Sequence, residues 1–471
     1  MVNLRQKKCV IEKISICNLS FVQGRESDEA ISQVYEDIDT LVSIELKNTN
    51  VGDFKSQKLL GIIITNHNQV QEIHIEQALN NVNAGKSLAD GLMRAKRLES
   101  ITVKNCPSTG ASINKILYNL AFSPKIRFID VSQNAPSNLT EFVDNISGVL
   151  SISGSIEHMI VNNVYNLYYS LTLDFFKALG ENSTLKTLSF NNIRASGNAN
   201  SAKWFGKAIA INANKKGSLV NLYLKGLFVG NDFKTFLDNV FTSKKTEETW
   251  YGDATKAEKM GGADTEKIFP NKIEVLDLSD CVTYNFCFNY EKYEKKIDYI
   301  MGPHRRLFTV FKNLKHLSLK RNNLNRGFYD FVKAIFLIGV NERNVRGDEP
   351  KNVTCKLETL NLSYNRMTKV EAKILKEFLC KIDSLEVLSL NNNKLGVSGA
   401  YAINTALKEL NNIKIVDLFA NLIDVDGARD LAKVLVSNKS IEYLEIGYNR
   451  IRDEGLRAIS EALKENPDCK I

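Results

Sequence analysis

The residues with the most chemical potential in this chain are few and scattered. Gly85-Lys86-Ser87 could close a phosphate-binding loop, in which backbone N–H groups cradle phosphate oxygens and a lysine neutralises them. That loop needs another glycine five residues before Gly85, and Asn80 stands there. The histidines at 67, 74, 158, 304 and 316 show no metal-ligand spacing, and Cys281 and Cys287 are too far apart for the short Cys-x-x-Cys arm of a zinc site. No nucleophile–base motif is visible. The sequence therefore predicts no catalytic residue, no metal and no cofactor, and it points to a chain that works by binding.

The groups that could bind recur at a fixed interval. Leu357, Leu385, Ile413 and Ile441 are separated by 28 residues each, and each opens the same phrase. Apolar residues fall at positions 1, 4, 6 and 11 of that phrase, and Asn365, Asn393, Asn421 and Asn449 fall at position 9. Positions 4 and 6 alternate as a short strand does, with Leu388 and Leu390 facing inward. The amide at position 9 has donors and an acceptor for backbone groups that a turn leaves unpaired. A helical pattern follows, and in the last repeat Leu456, Ile459 and Leu463 form its apolar stripe. Gly399, Gly427 and Gly455 recur ahead of that helix, where a turn is expected.

Weaker copies of the phrase open at Ile11, Leu41, Val70, Leu98, Ile126, Ile156, Leu185, Leu219, Ile273 and Leu314. Position 9 is less regular there, being Cys106 and Cys281 in two copies and Thr49, Ala78, Val164, Ile193 and Leu227 in others. A fixed period of this length is the mark of a stacked repeat.

The phrase resembles the ribonuclease-inhibitor-like class of leucine-rich repeats, whose pattern is L-x-x-L-x-L-x-x-N/C-x-L. The resemblance implies an α/β leucine-rich-repeat solenoid, a horseshoe of about fourteen repeats, with parallel strands on its concave face and helices on its convex face. It implies a non-enzymatic scaffold that holds a partner protein on the concave face, within a larger complex. Relatives in the class also include GTPase-activating proteins of the Ran type, actin-capping regulators and ciliary dynein-regulatory subunits. The Ran type carries an acidic C-terminal tail, for which Asn466 to Ile471 offers no counterpart.

The expected organisation is one solenoid over residues 1–471. Residues 1–10 are read as a cap region, and insertions are expected at 243–270, 284–305 and 341–354, where the period is exceeded; 357–471 is the most regular part. With 25% charged and 44% hydrophobic residues the composition is that of an ordinary soluble protein. No apolar run is long enough to span a membrane. The start lacks the apolar core of a secretory signal, and the eight cysteines do not cluster at the two ends. These features predict reduced thiols and a cytoplasmic protein, with cytoskeletal or nuclear placement also open.

Positions 3, 5 and 7 of each strand should face the partner. On that face lie Tyr443, Glu445, Asp417 and Phe419, with Tyr364 and Tyr448 at position 8 on its rim. Aromatic residues that no core requires are the usual anchors of a protein interface. Residues 301–350 hold ten Lys/Arg against four acids, and His316, Lys320 and Arg321 belong to this basic stretch. They predict a partner with an acidic patch. The stretch is short and carries no nucleic-acid motif, so nucleic acid is not expected. Glu45, Glu72 and Glu76 should make the opposite end acidic.

Overall fold

The computed structural model describes residues 12–17, 40–48, 69–79, 82–106, 110–193, 199–214, 217–228, the positions 232, 235, 236 and 240, and 272–281, 313–324, 356–380 and 382–471. The cap region 1–10 and the insertions at 243–270, 284–305 and 341–354 lie outside them. The chain divides into two compact units. The first is formed by 1–195 with 215–219, and the second by 196–214 with 220–471.

The first unit holds β1 (Lys13–Cys17), β2 (Ser43–Lys47), β3 (Glu72–Glu76), β4 (Ser100–Lys104), β5 (Phe128–Asp130), β6 (His158–Ile160) and β7 (Thr187–Ser189). Its helices are α1 (Val82–Leu92), α2 (Ser112–Ala121), α3 (Leu139–Ile152), α4 (Leu167–Ser170) and α5 (Leu173–Glu181). The second unit begins with α6 (Ala199–Asn214) and holds β8 (Asn221–Tyr223), β9 (Val275–Asp277), β10 (His316–Ser318), β11 (Thr359–Asn361), β12 (Val387–Ser389), β13 (Ile415–Asp417) and β14 (Tyr443–Glu445). Its other helices are α7 (Lys369–Leu379), α8 (Gly396–Glu409), α9 (Val425–Ser437) and α10 (Arg452–Glu465).

Each of these strands begins two residues after one of the fourteen predicted openings. Within each unit every strand pairs in parallel with the next in chain order, in the register of the repeat: Leu317, Leu360, Leu388, Val416 and Leu444 align at position 4. That row is buried, and so are the residues at positions 1 and 6, such as Leu385 and Leu390. One repeat cannot cover this face alone, so stacking on a neighbour completes its core.

A chain of buried amides ties the repeats together. Asn393 Nδ2 donates to Leu390 O in its own repeat (2.8 Å) and to Leu362 O in the one before (3.1 Å). Its Oδ1 accepts from the N–H groups of Asn365 and Met367, both at 3.0 Å. Asn365 and Asn449 repeat the same set of bonds. In the first unit Asn134 donates to Val103 and Val131 and accepts from the Cys106 N–H at 3.0 Å. Where position 9 is Val164 or Ile193, both buried, the bridging amide has moved to position 7. There Asn162 Oδ1 accepts from the Asn191 N–H at 2.8 Å. Between these two repeats the link is thus made from position 7.

Two further ladders escaped the sequence reading. Ser155, Ser218, Ser384 and Ser440, each just ahead of position 1, donate their hydroxyls at 2.8 Å to the position 1 carbonyl of the preceding repeat. Asn182, Asn438 and Asn466, at helix ends, donate to carbonyls of the preceding repeat.

Two expectations need correction. The recurring glycines do not precede the helices but lie in their first turns. A Cβ on Gly427 would sit 2.7 Å from Ile423 Cγ2 and 3.3 Å from Ala400 Cβ, and one on Gly455 would sit 3.0 Å from Ala428 Cβ. Close contact with the residue four before and with the preceding helix, not a turn, requires them. The buried stripe of α10 is Gly455, Ile459 and Ala462, whereas Leu456 is 56% exposed. The equivalent Ala428 of α9 is covered by α10, and α10 has no following helix over it among the described residues.

The ladder predicts unequal costs for like substitutions. Asn393→Ala orphans the Asn365 and Met367 N–H groups, while Leu362 O and Leu390 O keep Asn365 and Asn421 as donors, and should cost at least about 2 kcal/mol, at about 1–3 kcal/mol per buried orphan. Asn421 donates to Leu390 O and Leu418 O, which Asn393 and Asn449 also serve, and its buried Oδ1 has no partner, so Asn421→Ala orphans none of them and should cost less. Urea unfolding of both variants checks this; equal costs would contradict it.

Candidate protein-binding surface

Because the apolar side chains of each strand turn into the core at position 4, positions 3 and 5 are left on the exposed face of the sheet. Along the second unit this face carries two clusters built from neighbouring repeats. In the first, Tyr364 at the end of β11 receives Lys320 Nζ at 5.2 Å and Arg321 Cζ at 4.7 Å from its ring centroid. Cations at such distances over a phenol ring are attracted by its quadrupole. Arg321 also lies 3.8 Å from Asp280, which Lys225 approaches to 3.6 Å. His316 sits on β10, with Nδ1 3.0 Å from Thr359 Oγ1 and Nε2 4.0 Å from Glu358.

The second cluster is aromatic. The rings of Phe419 and Tyr448 are 4.8 Å apart and tilted by 45°, and Tyr448 is 85% exposed. Gly447 makes this pairing possible: a Cβ there would lie 3.2 Å from the Phe419 ring and 2.9 Å from Glu445 Oε1. Tyr443, also exposed, is aligned with exposed Ile415 across β13 and β14, and its hydroxyl reaches Glu445 Oε2 at 3.4 Å.

Asp417 and Glu445 have a local duty as well. Their carboxylates accept the N–H groups of Phe419 (3.1 Å) and Gly447 (2.8 Å) two residues on, as Asp130, Asp277 and Asn361 do in other repeats. Asp417 also accepts from the Asn391 side chain. The nine residues predicted from the sequence therefore do not form one site. Lys320, Arg321 and Tyr364 form one group, Asp417, Phe419, Tyr443, Glu445 and Tyr448 another, and His316 meets Thr359 and Glu358 instead. Asp280 and Lys225 complete the first group and Thr359 meets His316; all three were missed, because each contact links repeats whose openings are more than 40 residues apart in sequence.

Most of the basic stretch 301–350 lies outside the described residues, and Lys315 within it pairs with Glu274 at 3.1 Å. The acidic end expected in the first unit is largely neutralised. Glu45 pairs with Lys13 at 3.1 Å, and Glu76 is flanked by Lys47 at 3.3 Å and Lys104 at 3.8 Å. The Ser15 hydrogen bond and Lys13 lower the Glu45 pKa. Burial raises that of Glu76, but Lys47 and Lys104 outweigh it and the net shift is downward. Gly85-Lys86-Ser87 lies inside α1, a helix and not a phosphate loop. Among the described residues no three His, Cys, Asp or Glu side chains could hold a metal. Cys281 is buried, and burial pushes its thiol up to about 12, which fits a structural role at position 9.

Residues 383–403 and 437–460 match the family model Leucine Rich repeat. No curated protein matches the chain in sequence. Among solved structures it is similar to a TLR13–ssRNA13 complex, with 13% identity and a TM-score of 0.46 over 93% of this chain and 50% of that one. A Rad7–Elc1 complex in yeast is similar at 12% identity and a TM-score of 0.36, over 84% of this chain and 67% of that one. The C-terminal domain of tropomodulin from Caenorhabditis elegans is similar at 16% identity and a TM-score of 0.27, over 37% of this chain and 94% of that one. The chain spans about half the length of the TLR13 structure, and none of these overlaps is close enough to transfer an activity or a partner.

Gly447→Ala should displace the Phe419 ring at a cost of about 1 kcal/mol, the low end of overpacking, because the face is open to solvent. Shifted Phe419 and Tyr448 ring resonances with little loss of thermal stability are expected. Unchanged resonances would show that Gly447 does not position the pair.

Proposed function

We propose that this leucine-rich-repeat chain is a non-enzymatic scaffold that docks a partner protein on the exposed face of the second unit's sheet. The observation that supports it most is the Phe419–Tyr448 pair with Tyr443 beside it. Three aromatic side chains from adjacent repeats stand on a polar face where no core uses them. Large rigid aromatics at low entropic cost are the commonest hot spots of protein interfaces.

The partner presents an acidic patch to Lys320, Arg321 and His316. Lys225 and Arg321 both approach Asp280, and Lys320 stands with Arg321 over the Tyr364 ring, so the cluster carries an excess of positive charge for a complementary surface. Tyr364, which carries both cations on its ring, adds the apolar contact. The proposed setting is the cytoplasm, with the cytoskeleton or nucleus as the alternative, in a larger complex. The described cysteines are all free thiols, which accords with a reducing compartment. No helix among the described residues is long and apolar enough to cross a membrane.

Affinity purification with mass spectrometry, run beside Phe419→Ala/Tyr443→Ala/Tyr448→Ala, tests the docking face. Loss of a defined set of co-purifying proteins is expected, and survival of every one would remove the aromatic cluster from the interface. Association through Lys320 and Arg321 should also slow as ionic strength rises past about 0.15 M, where the screening length is about 8 Å. Salt-independent association would argue against the basic cluster.

A further inference from the structure

The first unit carries a pocket at the ends of α1 and α2. The chain after α1 and the chain after α2 enclose a pocket of about 440 Å³, within the usual range for ligand pockets. Its wall is mostly apolar, formed by Leu92, Met93, Tyr118, Phe122 and Pro124. Met93 and Phe122 are 69% and 59% exposed, and Tyr118 is exposed too. Tyr118 and Phe122 meet edge to face with centroids 5.3 Å apart, which holds the rim open in one shape. Ser123 also lines it, and its hydroxyl is buried with no hydrogen-bond partner.

The surroundings are basic. Lys96 lines the pocket, and exposed Arg94 and Lys125 adjoin lining residues in the chain. None of the three is in an ion pair among the described residues; Lys115 on α2, by contrast, is held by Asp90 at 2.6 Å. The C-termini of α1 and α2 contribute about half a negative charge each, too little to cancel three cations. An apolar socket with spare positive charge at its rim matches a chemistry opposite in sign around an apolar centre.

We propose that this pocket seats an apolar side chain of an acidic peptide segment from a partner protein, with flanking carboxylates meeting Arg94, Lys96 and Lys125. The site is independent of the sheet face assigned above. The probes are fluorescein-labelled dodecapeptides with a central Phe among Asp and Glu residues, titrated against the full chain by fluorescence anisotropy. Binding of the acidic Phe peptide is expected, with about tenfold loss for Lys96→Glu/Lys125→Glu at low salt. A similar loss is expected for Phe122→Ala and for a peptide with Ser in place of Phe. Phe419→Ala/Tyr443→Ala/Tyr448→Ala should bind it unchanged, which separates this site from the sheet face. Equal binding of a peptide with Lys in place of its acids, retention by both pocket variants, or binding of phosphatidylserine vesicles in place of the peptide would overturn the proposal. Circular dichroism of each variant, expected to match the parent, confirms that losses do not come from unfolding.

Discussion

The buried side-chain amide at position 9 is the interaction on which the rest of this structure depends. A parallel strand of three residues followed by a tight turn leaves backbone N–H and C=O groups facing a core where no water can pair them. One asparagine answers four of them at once, one in its own repeat and three in the repeat before. Because each amide serves two repeats, it fixes their spacing as well as their turns. Hydrophobic burial holds the repeats together without direction; the amides set the register that lines up Leu317 through Leu444.

That division of labour has a functional consequence. With the turn satisfied from inside, the exposed face of the sheet needs little from its own side chains. Only position 5 has a recurrent task, that of accepting the N–H two residues on, and even Asp417 and Glu445 perform it. Position 3 is then free to vary, and Tyr443 stands there; Phe419 stands at position 7, and Tyr364 and Tyr448 at position 8, where the backbone is left-handed. A scaffold whose stability is carried on one side of its strands can change its partner chemistry on the other.

The repeat was legible in the sequence because the constraint is local. Leu357, Leu385, Ile413 and Ile441 each need the same apolar neighbours at the same offsets, and the same arithmetic located all fourteen strand starts. Less legible was anything decided between repeats. Gly427 looks like a turn residue until Ala400 is seen to press on it. Leu456 satisfies the helical stripe of its own repeat yet sits where a neighbouring helix covers Ala428 in the repeat before. The serine ladder is invisible one repeat at a time, since each hydroxyl is used only by the preceding carbonyl. Charge was the least readable of all. Glu76 reads as part of an acidic face, but Lys47 and Lys104 reach it from the strands on either side.

The central claim is that the exposed sheet face of the second unit is the surface that meets the partner. Hydroxyl-radical footprinting of the full chain, alone and with its captured partner, tests this most directly. The account predicts protection of Tyr364, Phe419, Tyr443 and Tyr448 with unchanged reactivity of Tyr401 on α8. Protection confined to helical residues such as Tyr401, with the sheet-face tyrosines as reactive as in the free chain, would contradict it.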